Sequence, residues 1–188
     1  MTVPNIITLL RIFLIPVLVM VYLLPYAWHF AAAALVFGVA ALTDWLDGYL
    51  ARRLGQTTRL GEFLDPVADK LIVAAAVVLL VHAHHTVWLT LPAVVIIGRE
   101  ILISALREWM AEVNRRGDVR VSAIGKLKTT LQMVSILVLL ANPPDVTRPI
   151  VLVGYALIYV AAALTLWSMV LYVRAAWPAL RLGVERPL

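Results

Sequence analysis

The chain of 188 residues contains no cysteine, and only 14% of its residues are charged. The lack of cysteine excludes a disulfide framework, thiol catalysis and a cysteine-ligated metal site. Because soluble domains are about one quarter charged, the scarcity of charge argues against a soluble globular domain, a disordered chain and a nucleic-acid-binding module. Apolar residues make up 63% of the chain and the mean hydropathy is +0.94, so the composition indicates an integral membrane protein.

Long uncharged segments predict transmembrane helices, each of which needs about 20 mostly apolar residues to cross the bilayer. Two of these segments are too long for one helix and divide at Pro25 and at residues 82–85. The resulting predicted spans are 5–25, 29–53, 62–82, 87–112, 122–141 and 147–174. We therefore expect an all-α, polytopic membrane protein with six transmembrane helices, in which residues 1–188 form a single domain.

Lysine and arginine are distributed unevenly among the predicted turns. The second and fourth turns and both terminal regions carry nearly all of them, whereas the first and third turns carry none and the fifth carries only Arg148. Because cytoplasmic loops are enriched in these residues, we expect both termini and the even-numbered turns to face the cytoplasm. No Lys or Arg precedes Arg11 and apolar spans continue after the first, so we do not expect a cleaved signal peptide.

Four aspartates lie within 26 residues, at the predicted cytoplasmic ends of the second and third helices. The first two share one face of the second helix with two small residues and an arginine, at the spacing i, i+3, i+4, i+7 and i+8: Asp44, Asp47, Gly48, Ala51 and Arg52. Asp65 and Asp69 are four residues apart and share one face of the third helix. We therefore expect the four carboxylates to converge just below the cytoplasmic surface.

Clustered carboxylates in a site of low dielectric constant raise one another's pKa values unless cations neutralise them. Hard divalent cations prefer oxygen ligands, so the cluster predicts a magnesium or manganese site. A two-metal carboxylate site commonly holds a phosphoryl or pyrophosphoryl group. Gly48, Ala51 and Gly61 leave room for a ligand to approach the backbone, and Arg52 offers a guanidinium for phosphate.

Two structural explanations compete with this functional one. Asp65 directly before Pro66 fits a helix N-cap with proline at the first helical position. Small residues on a transmembrane helix more often pack against another helix than against a ligand. Neither explanation accounts for Asp44, Asp47 and Asp69 at this depth, where carboxylates are costly.

The spacing resembles the complete signature of the CDP-alcohol phosphatidyltransferases. The matching positions are Asp44-x-x-Asp47-Gly48-x-x-Ala51-Arg52, then eight residues, then Gly61-x-x-x-Asp65-x-x-x-Asp69, and none departs from the signature. Other segments resemble the bacterial branch of the family that makes phosphatidylglycerophosphate. They are Thr8-x-x-Arg11 with Ile15-Pro16, residues 63–70, Gly98-Arg99-Glu100, residues 104–109, and Gly125-Lys126-x-Lys128-Thr129-Thr130-x-Gln132.

The resemblance implies a homodimeric enzyme with the six-helix CDP-alcohol phosphatidyltransferase fold, in the inner membrane of a bacterium. Such an enzyme would transfer a phosphatidyl group from CDP-diacylglycerol to the hydroxyl of sn-glycerol 3-phosphate and release CMP. It would use two Mg²⁺ or Mn²⁺ ions per active site and contact membrane lipids, but no nucleic acid.

The resemblance also implies roles for individual residues. Asp44, Asp47 and Asp65 would ligate the metals, and Asp69 would bind one metal and act as the general base on the acceptor hydroxyl. Three small residues would lie against the cytidine, with an arginine on the diphosphate: Gly48, Ala51, Gly61 and Arg52.

A dianionic acceptor needs further cations, and we expect them on the fourth and fifth helices: Arg99, Arg107, Lys126 and Lys128. For the last three, cytoplasmic topology or contact with anionic lipid is an equally good explanation, and Glu100 could neutralise Arg99. Two other functions stay open: the same reaction with inositol phosphate, serine or phosphatidylglycerol as acceptor, and a carboxylate-based cation transporter. The acids cluster at one face without a second copy, which disfavours the transporter.

Overall fold

The computed structural model describes residues 3–54, 59–112 and 123–185. Within these ranges the chain forms six helices and no strand: α1 Val3–Tyr22, α2 His29–Leu54, α3 Arg59–His84, α4 Val87–Glu112, α5 Ala123–Leu140 and α6 Pro149–Glu185. The all-α prediction is thus confirmed for the described residues, and each predicted span overlaps one helix. These helices also support the membrane interpretation, because apolar side chains cover much of their surface.

Several helix boundaries differ from the predicted spans by up to three residues, and the end of α6 differs by more. Helix α3 begins at Arg59 rather than at 62, and α6 continues to Glu185, well beyond the predicted end at 174. Asp65 and Pro66 therefore lie inside α3, not at its start. The N-cap explanation of Asp65 is wrong, because an N-cap residue precedes the first turn of its helix.

Interhelical hydrogen bonds and short connections define two ends of the bundle. The Thr8 hydroxyl of α1 donates to Asp65 of α3, so α1 and α3 begin at the same end, which we call the aspartate end. The hydroxyl of Tyr155 in α6 lies 3.0 Å from Nδ1 of His84, where α3 ends. The Tyr159 hydroxyl donates to the Trp88 carbonyl, where α4 begins, over 2.7 Å. We call this opposite end the histidine end.

The side chains buried between the helices change character along the bundle. Apolar side chains fill the middle and the histidine end, and the largest fully buried ones include Leu18, Phe37, Ile72, Leu80 and Ile136. Polar and charged buried side chains occur toward the aspartate end and along the α5–α6 contact: Thr8, Arg11, Arg99, Lys128, Gln132, Ser135, Thr165 and Ser168. Arg11, Arg99 and Lys128 are the ionisable members of this set, and ionisable side chains buried between membrane helices are candidates for function.

Large apolar side chains are exposed on all of the described helices. One example from each helix in chain order is Phe13, Leu35, Val78, Ile101, Leu127 and Trp167. The segments Val87–Met110 and Pro149–Arg174 are long and apolar enough to cross a membrane, and Ile6–Tyr22, His29–Thr43 and Leu127–Leu140 are shorter apolar stretches. An apolar surface of this extent is typical of helices that contact lipid.

The connection between α5 and α6 is polar and exposed. The backbone N–H and the hydroxyl of Thr147 both donate to Asp145, over 2.9 and 2.7 Å. Together with the ion pair to Arg148, these hydrogen bonds hold the pKa of the Asp145 carboxyl below its usual range. The connection is therefore suited to water rather than to the lipid interior.

Candidate active site

The predicted site residues fall into two sets. For the first set, the structure describes the helix backbone but not the side chains. These residues lie in α2, α4 and α5: Asp44, Asp47, Gly48, Ala51, Arg52, Arg107 and Lys126. The other set is described fully: Gly61, Asp65, Asp69, Arg99 and Lys128. The burial and the contacts of the predicted site residues are therefore known for the second set.

The ends of α2 and α3 that carry the aspartates must lie at the same end of the bundle. Helix α2 ends at Leu54 and α3 begins at Arg59. The chain between them spans at most about 19 Å, since consecutive Cα atoms are 3.80 Å apart. The backbone therefore supports the predicted proximity of the two aspartate pairs.

The two described aspartates lie on the inward-facing stripe of α3. Asp65 and Asp69 are each partly buried, and Gly61, one turn earlier, is buried. Ala68 and Ile72 occupy the same stripe at helical spacing and are 0% and 1% exposed. Both carboxylates therefore face the interior of the bundle, as expected for a site rather than for a lipid-facing or solvated surface.

A contact from α1 reaches the first of these carboxylates. The Thr8 hydroxyl donates to Oδ1 of Asp65 over 2.5 Å, and Thr8 is fully buried. Arg11 lies one turn further along α1 and is also fully buried. In the sequence, Thr8 and Arg11 belong to a segment that resembles the family, and no role is predicted for either residue. Polar residues three apart in an otherwise apolar helix were the available signal.

Arg99 is buried in α4 together with an acidic neighbour. Its Nη1 lies 3.2 Å from Oε2 of Glu100, so the predicted neutralising contact is confirmed. The Arg99 side chain is 7% exposed, whereas that of Glu100 is 35% exposed. Nε of Arg99 is buried and has no hydrogen-bond partner among the described residues. The guanidinium thus keeps a donor that a phosphate oxygen would satisfy.

Lys128 is held across the α5–α6 contact. Its Nζ donates to Oγ of Ser168 over 2.8 Å, and the Ser168 hydroxyl in turn donates to the Thr165 carbonyl over 2.9 Å. Lys128 is only 4% exposed. A lysine that served only membrane topology or lipid headgroups would lie in water or at the lipid surface, so its burial favours an internal role.

The sequence indicates neither Ser168, the α6 residue that contacts Lys128, nor Thr165, whose carbonyl accepts from Ser168 in turn. Thr165 and Ser168 belong to an apolar helix and match no motif. Their relation to Lys128 depends on two helices packing side by side, which helical periodicity within α6 does not reveal. Gln132, one turn after Lys128 in α5, is also buried, and its Oε1 has no partner among the described residues.

The described donors fit a site for hard divalent cations. Asp65 and Asp69 supply carboxylate oxygens, the ligands that Mg²⁺ and Mn²⁺ prefer. Within the described residues no group of three His, Asp or Glu side chains comes together, and the side chains of Asp44 and Asp47 lie outside them. The described part therefore contributes two of the four predicted ligands, on one face of one helix.

Residues 1–167 match the sequence model of the CDP-alcohol phosphatidyltransferase family. A Pseudomonas fluorescens protein named CDP-diacylglycerol–glycerol-3-phosphate 3-phosphatidyltransferase is 59% identical over 182 residues, which cover 96% of this chain and 93% of that protein. The relative of the same name from Escherichia coli (strain K12) is 56% identical over 174 residues, 93% of this chain and 94% of the relative. A third, from Salmonella choleraesuis (strain SC-B67), is 55% identical over the same length.

Proposed function

The chain belongs to the CDP-alcohol phosphatidyltransferase family, and on that premise we propose that it transfers the phosphatidyl group of CDP-diacylglycerol to sn-glycerol 3-phosphate. The products are phosphatidylglycerophosphate and CMP, and the reaction commits CDP-diacylglycerol to the synthesis of phosphatidylglycerol and cardiolipin. The observation that carries the proposal is 59% identity over 96% of the chain with a relative named for this reaction.

The reaction is a displacement at phosphorus. The acceptor hydroxyl oxygen forms a bond to the phosphorus that carries diacylglycerol, and the bond from that phosphorus to the bridging oxygen of the diphosphate breaks. CMP leaves with the bridging oxygen. We assign Asp69 as the general base that takes the hydroxyl proton, because the family resemblance implies this role for it, and its partly buried position on the inward stripe of α3 is compatible with it.

We assign two Mg²⁺ or Mn²⁺ ions to the four aspartates Asp44, Asp47, Asp65 and Asp69. When bound, ions of this kind neutralise a diphosphate and withdraw charge from the phosphorus under attack. The small residues Gly48, Ala51 and Gly61 would accommodate the cytidine, and Arg52 would contact the diphosphate. The i, i+4 spacing of Asp65 and Asp69 on a buried stripe supports this assignment.

The acceptor phosphate needs cations other than the metals, because the aspartate-bound metals would be occupied by the donor diphosphate. We assign it to the basic residues of α4 and α5: Arg99, Arg107, Lys126 and Lys128. Burial of Arg99 and Lys128 supports their part in such a pocket, since a buried cation gains most from an anion brought next to it. The unpartnered Nε of Arg99 supports it further.

We propose that the helices cross the bacterial inner membrane six times, with both termini and the aspartate end at the cytoplasmic side. A lipid-linked nucleotide has acyl chains in the bilayer and a cytidine in water, so the reacting phosphates lie at the interface. Trp28 and Trp88 are 54% and 69% exposed toward the histidine end, where interfacial tryptophans are expected.

The expected homodimer rests on the family resemblance, and light scattering of the purified protein tests it.

The full-length protein purified in detergent tests the proposed reaction. CDP-diacylglycerol is offered with sn-glycerol 3-phosphate, inositol phosphate, serine or phosphatidylglycerol, and CMP release is followed with Mg²⁺, with Mn²⁺ and with chelator. We expect release with glycerol 3-phosphate and either metal, and none with chelator. Release with another acceptor alone would reassign the substrate, and undiminished release in chelator would contradict the metal site.

A further inference from the structure

The Thr8 hydroxyl makes a hydrogen bond to a different helix. A helical threonine commonly donates to a carbonyl of its own preceding turn, and two others in this chain do so. Thr43 donates to the Ala40 carbonyl over 2.8 Å, and Thr90 donates to the Thr86 carbonyl over 3.0 Å. Thr8 instead crosses to another helix and reaches a carboxylate 57 positions away in the sequence.

The hydrogen bond between Thr8 and Asp65 lies in a buried environment. Thr8 is 0% exposed, so water does not compete for its hydroxyl. Asp65 is partly buried on the stripe of α3 that also carries Asp69. A hydroxyl that donates to a carboxylate oxygen restricts the rotation of that carboxylate.

We propose that Thr8 is a positioning residue for Asp65: its hydroxyl holds this carboxylate in one orientation before a divalent cation binds. The inference rests on the proposed function, which makes Asp65 a metal ligand. Ligating carboxylates are themselves hydrogen-bonded by outer groups, and loss of such a group typically lowers metal affinity or activity about 10- to 100-fold. Helix α1 thereby takes part in the site, although it carries none of the four aspartates.

Three variants of the full-length protein separate positioning from packing. Thr8→Val keeps the branched shape and removes the hydroxyl, whereas Thr8→Ser keeps the hydroxyl and removes a methyl group. Thr90→Val is the matched control, because it removes a helical threonine hydroxyl whose partner is the backbone carbonyl of Thr86, directly before α4. Binding of Mn²⁺ to each purified protein is measured by the loss of the free-ion electron paramagnetic resonance signal, without substrates.

We expect Thr8→Val to weaken Mn²⁺ binding about 10- to 100-fold, with Thr8→Ser and Thr90→Val close to the wild type. In the CMP-release assay, the Mn²⁺ concentration for half-maximal rate should rise by the same factor in Thr8→Val, and saturating Mn²⁺ should restore most of the rate. A purely structural loss would lower the rate at every Mn²⁺ concentration.

The possible failures are distinguishable. If the wild type binds Mn²⁺ and Thr8→Val binds it equally well, the role of Thr8 is refuted and the metal site stands. Equal weakening in Thr8→Val and Thr8→Ser, or weakening in Thr90→Val, also overturns the role of the hydroxyl. If the wild-type protein binds no Mn²⁺, the metal site of the proposed function fails, and the role of Thr8 fails with it.

Discussion

Asp65 and Asp69 show how neighbouring aspartates on one helix face can differ in their surroundings. Asp65 accepts a hydrogen bond from Thr8 of another helix, and Asp69 lies one turn deeper on the same stripe. In the proposed mechanism Asp65 is only a metal ligand, whereas Asp69 is a metal ligand that also accepts a proton. A substitution that keeps the size of the side chain can separate these roles.

Asp69→Asn should lower kcat by at least about 10²- to 10⁴-fold, the usual contribution of a general base. Asparagine keeps one oxygen ligand but accepts no proton from the acceptor hydroxyl. CDP-diacylglycerol binding, measured by titration calorimetry in detergent, should weaken much less, because three aspartates remain. A loss of binding as large as the loss of kcat would show that Asp69 is only a ligand.

Lys128→Gln should raise the KM for sn-glycerol 3-phosphate roughly 10- to 100-fold, since a charge-assisted contact to phosphate contributes about 1.5–3 kcal/mol. The KM for CDP-diacylglycerol should change little. Arg148→Gln is the control, because Arg148 is an exposed cation in the α5–α6 connection and pairs with Asp145. Steady-state kinetics with each substrate varied in turn check the result, and an unchanged acceptor KM would remove Lys128 from the pocket.

At the scale of helices, α5 and α6 approach each other closely at Gly154. The Ser135 hydroxyl of α5 donates to the Gly154 carbonyl over 2.7 Å. A Cβ added to Gly154 would lie 2.7 Å from Cδ2 and 2.8 Å from Cγ of Leu139, a side chain that is fully buried. Close backbone approach at small residues is typical of helices packed in a membrane.

Gly154→Ala should therefore destabilise the protein by about 1–3 kcal/mol, the usual effect of overpacking a filled interior. Gly38→Ala is the matched control, since its new Cβ would lie 3.6 Å from Cδ1 of Leu137, an ordinary contact. The free energy of unfolding in mixed micelles measures both changes. Equal stability of the two variants would show that α5 and α6 can move apart at Gly154 without lowering the free energy of unfolding.

Two differences between the predicted and the observed helices have separate physical causes. The N-cap explanation of Asp65 takes Pro66 as the first residue of a helix, the position where proline is best tolerated, but α3 begins at Arg59 and includes both residues. The predicted end of α6 is 174, where the apolar run stops. Hydropathy reports where a helix leaves lipid, whereas the backbone remains helical beyond that point, to Glu185.

At the scale of the whole molecule, the charge distribution predicts which end faces the cytoplasm. Since the chain has no cysteine, an introduced cysteine is its sole thiol. Val146→Cys places one in the α5–α6 connection, where Val146 is 54% exposed. Asp118→Cys places one in the fourth turn, which lies outside the described residues.

In intact bacterial cells, a membrane-impermeant maleimide should label Val146→Cys and should label Asp118→Cys only after permeabilisation. The physical reason is the excess of Lys and Arg in the even-numbered turns, because loops rich in these residues stay on the cytoplasmic side. Labelling is read by mass shift on a gel, with the cysteine-free parent as the blank. The reverse pattern would invert the proposed orientation and place the aspartate end outside the cell.

The sequence by itself determined the helical class, the approximate helix positions, the spacing of the four aspartates and the family. These features are local, because apolar runs and i, i+4 patterns depend on residues a few positions apart. Only the tertiary structure decided that Thr8 contacts Asp65 and that Ser168 contacts Lys128. These contacts join residues 57 and 40 positions apart. They depend on which helix faces pack together, and the periodicity of a single helix does not determine that.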